Sequence, residues 1–210
     1  MTAEIWPEYI TAKSWRILNE LAHRLYPVVI GGWAVYLWTG ALKSSGVDLF
    51  VRDENLWKIG VKLSRHPRLK KYHAVIDEVD VDIYTPTLCG LVIGAAEIFE
   101  KRLYALIRDF NVILPEPLLI LKCEAASKRW GGRKGFKDRC DVLSLLNSEK
   151  LDLHVLNEFL NRSDRWVGET LGRIVRESAE EYKVIGLDPW EGRKKMLKKL
   201  TELGLRNRRS

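Results

Sequence analysis

The chain has 210 residues, a formal net charge of +7 and an isoelectric point near 9.3, with 46% hydrophobic and 30% charged residues. That balance excludes a disordered chain, and the length admits one large domain or two small ones. No apolar run approaches the roughly 20 residues that span a bilayer, and residues 1–7 carry no basic cluster ahead of an apolar run, so neither a membrane partner nor a signal peptide is expected.

Three widely spaced cysteines (Cys89, Cys123, Cys140) fit a reducing cytoplasm better than a disulfide framework. They form no C-x-x-C pair and the four histidines are scattered, which argues against a zinc site.

Residues 11–24 place Trp15, Leu18, Leu21 and Ala22 at helical spacing, with Thr11 or Ser14 as cap. A short apolar strand, Val28 to Ile30, ends on the pair Gly31-Gly32. Residues 32–38 then read as a helix apolar nearly all round, hence buried. After a Ser-Ser-Gly turn, residues 47–51 form a strand carrying Asp48. An amphipathic helix is expected through Leu56, Ile59, Val61 and Leu63. Strands follow at 73–76 and 79–84, joined tightly at Asp77-Glu78 and closed by Thr85-Pro86.

A short helix is expected from Ala95, then strands at 103–107 and 111–114 around a turn at Asp109-Phe110. From Pro115 the pattern becomes all helix. One helix runs to about Lys128, a glycine- and base-rich loop (W-G-G-R-K-G-F-K) follows, and further helices cover 138–146, 152–160 and 165–182. Asp188-Pro189 opens a last, basic helix with an apolar stripe of Trp190, Met196, Leu197, Leu200 and Leu203. The expected organisation is therefore α+β: a mixed sheet with flanking helices over residues 1–115, then a helical bundle over 116–210.

The positive charge is uneven. Residues 189–210 hold eight Lys/Arg against two Glu, and residues 120–140 hold seven against Glu124 and Asp138. An acidic partner such as nucleic acid or nucleotide, and a merely well-solvated basic surface, explain those runs equally well. Trp33, Tyr36 and Trp38 suit packing better than base stacking.

The order strand, glycine turn, helix, acid-bearing strand suits a phosphate on backbone N–H groups, with a metal held by a carboxylate on the next strand. In V-D-V-D-I-Y, alternation points Asp80 and Asp82 to one face and Val79, Val81 and Ile83 to the core. Two such carboxylates repel unless a cation or solvent relieves them. An edge strand with an acidic solvent face is the alternative.

The glycine pair, the later V-D-L and V-D-I-Y strands, and the helical segments L-K-C-E-A-A-S-K-R-W and K-D-R-C-D-V-L-S-L-L together resemble the nucleotidyltransferase superfamily with its polymerase-beta-like fold. They are most similar to the AbiEii-like nucleotidyltransferases, toxins of type IV toxin–antitoxin systems. The resemblance covers about residues 28–146. It implies Mg²⁺ (or Mn²⁺) held by Asp48, Asp82 and Asp80, a nucleoside triphosphate as substrate on Gly31, Gly32, Lys122 and Arg129, and catalytic roles for Asp48, Asp82, Lys122 and Asp138. Asp141 shares a helix face with Asp138. It also implies an RNA acceptor such as tRNA, for which Arg133, Lys134 and Lys137 supply charge, and a cognate antitoxin protein. The chain departs from the family's paired aspartates: Gly46 stands where the first belongs, and Gly32 replaces the helix-start serine. An active transferase and a non-catalytic relative that binds nucleotide, RNA or protein both follow from that pattern.

Overall fold

The computed structural model describes residues 4–205; Arg206, Arg208 and Arg209 of the basic C-terminal run, and residues 1–3, lie outside them. An α/β unit occupies Trp6–Leu114, and a helical unit begins at Pro115.

In the α/β unit, helix α1 (Glu8–Leu25) starts directly after Pro7. The periodicity placed its start too late, because the first turn lies outside the apolar stripe. Thr11 is therefore no cap, and its hydroxyl donates to the Glu8 carbonyl at 2.9 Å. Strand β1 (Val28–Ile30) leads into α2 (Gly31–Thr39), followed by β2 (Val47–Phe50). Trp33 is buried and its indole N–H donates to Ser14 Oγ at 2.8 Å, while the rings of Trp15 and Trp33 lie 4.9 Å apart. These contacts pin α2 to α1, so the tryptophan packs as its sequence context suggests.

The amphipathic helix expected after β2 is instead a 3-10 helix over Asp53–Ile59, ended by Gly60 at φ 73°. Strand β3 (Ser64–His66), which has no apolar alternation to announce it, comes next; all of its residues are exposed. Strands β4 (Lys71–Ile76) and β5 (Val79–Tyr84) form a hairpin whose two turn residues, Asp77 and Glu78, both have positive φ (46° and 66°). That conformation follows the right-handed strand twist. Helix α3 (Ala95–Glu100) precedes β6 (Tyr104–Ile107) and β7 (Phe110–Ile113). Their turn is Arg108-Asp109, at φ 48° and 68°, one residue earlier than expected. Phe110 is strand, buried against Trp15 with ring centroids 5.4 Å apart.

The seven strands form one mixed sheet in the order β3-β4-β5-β2-β1-β7-β6. The β2–β5 and β1–β7 pairs are parallel and the others antiparallel. The parallel β2–β5 pair sets Asp48 beside Asp82.

The helical unit comprises α4 (Pro115–Lys128), α5 (Gly132–Asn147), α6 (Leu153–Arg162), α7 (Arg165–Glu177), α8 (Glu180–Val184) and α9 (Pro189–Glu202). The expected glycine-rich loop is helix from Gly132 onward. Its glycines lower helix propensity, but Gly135 is needed for contact, since a Cβ there would stand 1.8 Å from the Arg129 carbonyl oxygen. Trp130 fixes the short α4–α5 turn, with the Arg139 and Arg173 guanidiniums 5.0 Å and 3.7 Å from its ring centroid. The helix expected over 165–182 breaks at extended Ser178 into α7 and α8. In α9 the Asp188 carboxylate accepts the Trp190 and Glu191 N–H groups at 3.0 and 2.9 Å. Met196, Leu200 and Leu203 are buried, but Trp190 and Leu197 are exposed and leave the stripe. Among the described residues no helix is long and apolar enough to cross a membrane.

Candidate functional site

Each unit carries one cluster of charged side chains. In the α/β unit, β5 alternates cleanly: Val79, Val81 and Ile83 are fully buried, Asp80 is exposed and Asp82 half-buried. Asp48 and Asp82 are register partners on parallel strands, so their side chains share one face. The next position back on that face is Gly46, where a Cβ would lie 3.2 Å from the Asp80 carbonyl oxygen and 3.9 Å from its Cβ. Asp80 thus flanks the place where the resembling family has its first aspartate.

Gly31 has φ 67°, and a Cβ on it would stand 2.1 Å from Asp48 Oδ2. The Asp48 carboxylate therefore rests on the Gly31 backbone at the first turn of α2, where the unpaired N–H groups and helix dipole favour negative charge. Only glycine allows both this close approach and the left-handed backbone.

Lys71, and His73, which the sequence suggests is merely structural, join this face. Antiparallel pairing sets His73 opposite Asp82, with Nδ1 3.0 Å from Oδ1. Lys71 Nζ donates to Asp82 Oδ2, and both side chains are largely covered. His73 Nε2 lies 3.8 Å from Asp80 Oδ1. Lys71-x-His73 spacing does signal a shared face, but only the strand register shows that this face is the acidic one.

Asp48, Asp80 and Asp82 bring three carboxylates to this part of the sheet. Mg²⁺ is commonly bound by one or two carboxylates plus substrate phosphates, and the Asp48–Asp82 pair fits an ion arriving with its triphosphate. Among the described residues no group of three or more His, Cys, Asp or Glu side chains forms a preformed metal cage.

In the helical unit, five side chains alternate in sign. Lys137 Nζ donates to Asp141 Oδ1 at 2.8 Å, Lys122 Nζ lies 2.7 Å from Asp141 Oδ2 and 3.2 Å from Asp138 Oδ1, and Arg129 Nε donates to Asp138 Oδ2 at 2.6 Å. Lys122, Lys137, Asp138 and Asp141 are all buried, whereas the Arg129 side chain is half exposed. Burial works to raise the Asp138 pKa, but Lys122 and Arg129 outweigh it and hold the carboxyl below its ordinary value. Burial pushes the Lys137 pKa down, and the neighbouring Lys122 charge adds to that against the opposing pull of Asp141. Each of the two carboxylates is thus met by two of the three cations.

Arg133 and Lys134 lie exposed on the first turn of α5. Lys137 does not join them: it belongs to helix rather than an open loop and points into the ion cluster. Burial raises the Cys123 and Cys140 thiols well above their ordinary values, so they stay protonated.

No protein-family model and no curated protein matches the chain. Among solved structures it is similar to an antigenic nucleotidyltransferase-like protein from Paracoccidioides brasiliensis, with 13% identity and a TM-score of 0.48 over 89% of this chain and 96% of that one.

Proposed function

We propose that the chain is a nucleotidyltransferase of the polymerase-beta-like superfamily that takes a nucleoside triphosphate together with a divalent cation. The observation that carries this reading is the Asp48–Asp82 register pair, with the Asp48 carboxylate seated on Gly31 at the start of α2. Asp48 and Asp82 would hold Mg²⁺, with Asp80 on the same face. The ion when bound neutralises triphosphate charge and polarises the phosphoryl group under attack. The α2 first-turn N–H groups bind phosphate oxygens. Lys71, released from Asp82, offers its ammonium to the same phosphates. In the reaction the acceptor oxygen bonds to the α-phosphorus and pyrophosphate leaves. An RNA acceptor and the AbiEii-like toxin class are the finer form of the same proposal, supported by the motif resemblance over residues 28–146 and the exposed pair Arg133 and Lys134.

A second reading is favoured by the pairing of Asp82 with Lys71 and His73, together with Gly46: a non-catalytic relative that binds nucleotide without transfer. One experiment separates the two. Wild type and Asp48→Asn are titrated with each fluorescent nucleoside triphosphate, with and without Mg²⁺, and incubated with α-labelled triphosphate and total tRNA. Mg²⁺-dependent binding with label transfer that is lost in Asp48→Asn supports the enzyme. Binding without transfer to any acceptor supports the non-catalytic relative. Absence of triphosphate binding by wild type sinks both.

A further inference from the structure

The outer edge of the α/β sheet carries features that the carboxylate face does not use. Strand β3 is the edge strand. Between Trp57 and Lys70 the chain has five cations (Lys58, Lys62, Arg65, Arg68, Lys70) and no carboxylate. Lys62, Arg65, Arg68 and Lys70 are exposed and have no carboxylate partner among the described residues. The exposed cations of α1 differ, since Lys13 and Arg16 pair with Glu78 and Asp77 at 2.5 and 2.7 Å.

Cations on an edge strand are explained in part by protection against edge-to-edge pairing. That account does not cover Trp57, which is 77% exposed. Beside it is Tyr26, 68% exposed, with the Lys58 ammonium 6.0 Å and 5.8 Å from the two ring centroids. A shallow depression of ≈ 450 Å³ adjoins Trp57, lined by Leu56, Ile59, Val61, Lys62 and Leu63. The Arg24 guanidinium lies against Gly60, where a Cβ would stand 2.3 Å from Nη2. Exposed apolar surface rimmed by polar groups marks an interaction site. A flat aromatic ring beside Lys58 and Lys62, on an edge that carries further exposed cations, matches a chain of bases and phosphates rather than an apolar protein face.

We propose that this edge binds single-stranded nucleic acid, with a base stacked on Trp57 and phosphates held by Lys62, Arg65 and Arg68. A duplex has no unstacked base to offer that ring. The inference goes beyond the transferase reading and does not depend on it, because its readout is binding alone.

The test is fluorescence anisotropy with labelled 20-nucleotide single-stranded RNA, single-stranded DNA and the matching duplex. Wild type should bind one or both single strands more tightly than the duplex, and the stronger arm identifies the source. Trp57→Ala should weaken binding about 5- to 150-fold, with Trp57→Phe close to wild type. The triple change Lys62→Ala, Arg65→Ala, Arg68→Ala should flatten the slope of log affinity against log salt by about 2. Equal affinity for duplex, no effect of Trp57→Ala, or no binding to any nucleic acid would each overturn the proposal, the last leaving the edge to a protein partner.

Discussion

The buried ion cluster of the helical unit makes an asymmetric prediction about one of its pairs. Asp141 accepts from Lys137 at 2.8 Å and lies 2.7 Å from Lys122, so Asp141→Asn leaves two buried ammoniums facing each other around a neutral amide. Removing one partner of a buried pair costs about 3–5 kcal/mol. For a chain of this length that lowers Tm by roughly 6–20 °C. Lys137→Met should behave differently. It removes a cation that burial already disfavours, keeps the volume of the stem, and leaves Asp141 with Lys122 and Asp138 with Arg129. Each carboxylate keeps a cation, and the cost should be under about 1 kcal/mol. The double variant should recover part of the Asp141→Asn loss, a coupling that a double-mutant cycle measures. Urea denaturation at pH 7 followed by far-UV circular dichroism reads all four species. Equal losses for the two single variants would refute this asymmetry. So would a double variant that is simply additive.

Gly31→Ala combines a left-handed backbone with a Cβ 2.1 Å from Asp48 Oδ2, so it should cost about 2–4 kcal/mol. Thermal denaturation within 1 °C of wild type would show that the turn relaxes freely. Asp138 has a folded-state pKa below its ordinary 3.8; its stabilisation is present above that value and lost as pH falls through the lower folded one. Asp138→Asn should accordingly be less stable than wild type at pH 7, with the gap narrowing below about pH 4 in urea titrations. Glu116 runs the other way: burial raises its pKa, although its Oε1 accepts the Asp152 N–H at 2.8 Å. Glu116→Gln keeps the acceptor and sheds the ionisation penalty, so its stability relative to wild type should improve as pH rises through the raised value and vanish as a difference in acid. Gly46→Asp should fold, and an increase in Mn²⁺ affinity read by electron paramagnetic resonance is expected from the added carboxylate beside Asp80.

Where one physical signal dominated, the sequence was readable. The strict alternation of Val79 to Tyr84 assigned both faces of β5, because every second residue is either fully apolar or acidic. The Pro115 and Asp188-Pro189 starts were legible because proline suits the first turn of a helix. Weak local signals failed. Residues 132–137 are too rich in glycine for their propensity to reveal a helix that tertiary contact holds, through Gly135 on the Arg129 carbonyl and Trp130 between two guanidiniums. Strand β3 has no alternation to detect because it is exposed on both faces. Within the candidate site the acids were visible by alternation, but Lys71 and His73 became partners of Asp82 only through the β4–β5 register, a nonlocal fact. The edge cations form no compact run, since apolar residues, Ser64, His66 and Pro67 separate them, so the longer runs of the C-terminal half dominate the charge pattern.

The two glycines that frame the acidic face have different physical standing, and the difference bears on how the site is read. Gly31 is imposed by geometry: its φ of 67° and the Asp48 carboxylate against it leave no room for any side chain. Gly46 is not imposed. It does not sit in the left-handed region, and an added Cβ would meet only the Asp80 carbonyl oxygen at 3.2 Å, a contact that a shift of a few tenths of an ångström relieves. The backbone therefore retains the shape that suits an aspartate at position 46 while the chain does without one. Asp48 rests at a helix start, where the dipole favours its charge, and Asp82 rests against Lys71, so each of these neighbouring carboxylates is stabilised locally. An aspartate at position 46 is thus a change this face can accept, whereas a side chain at position 31 is not.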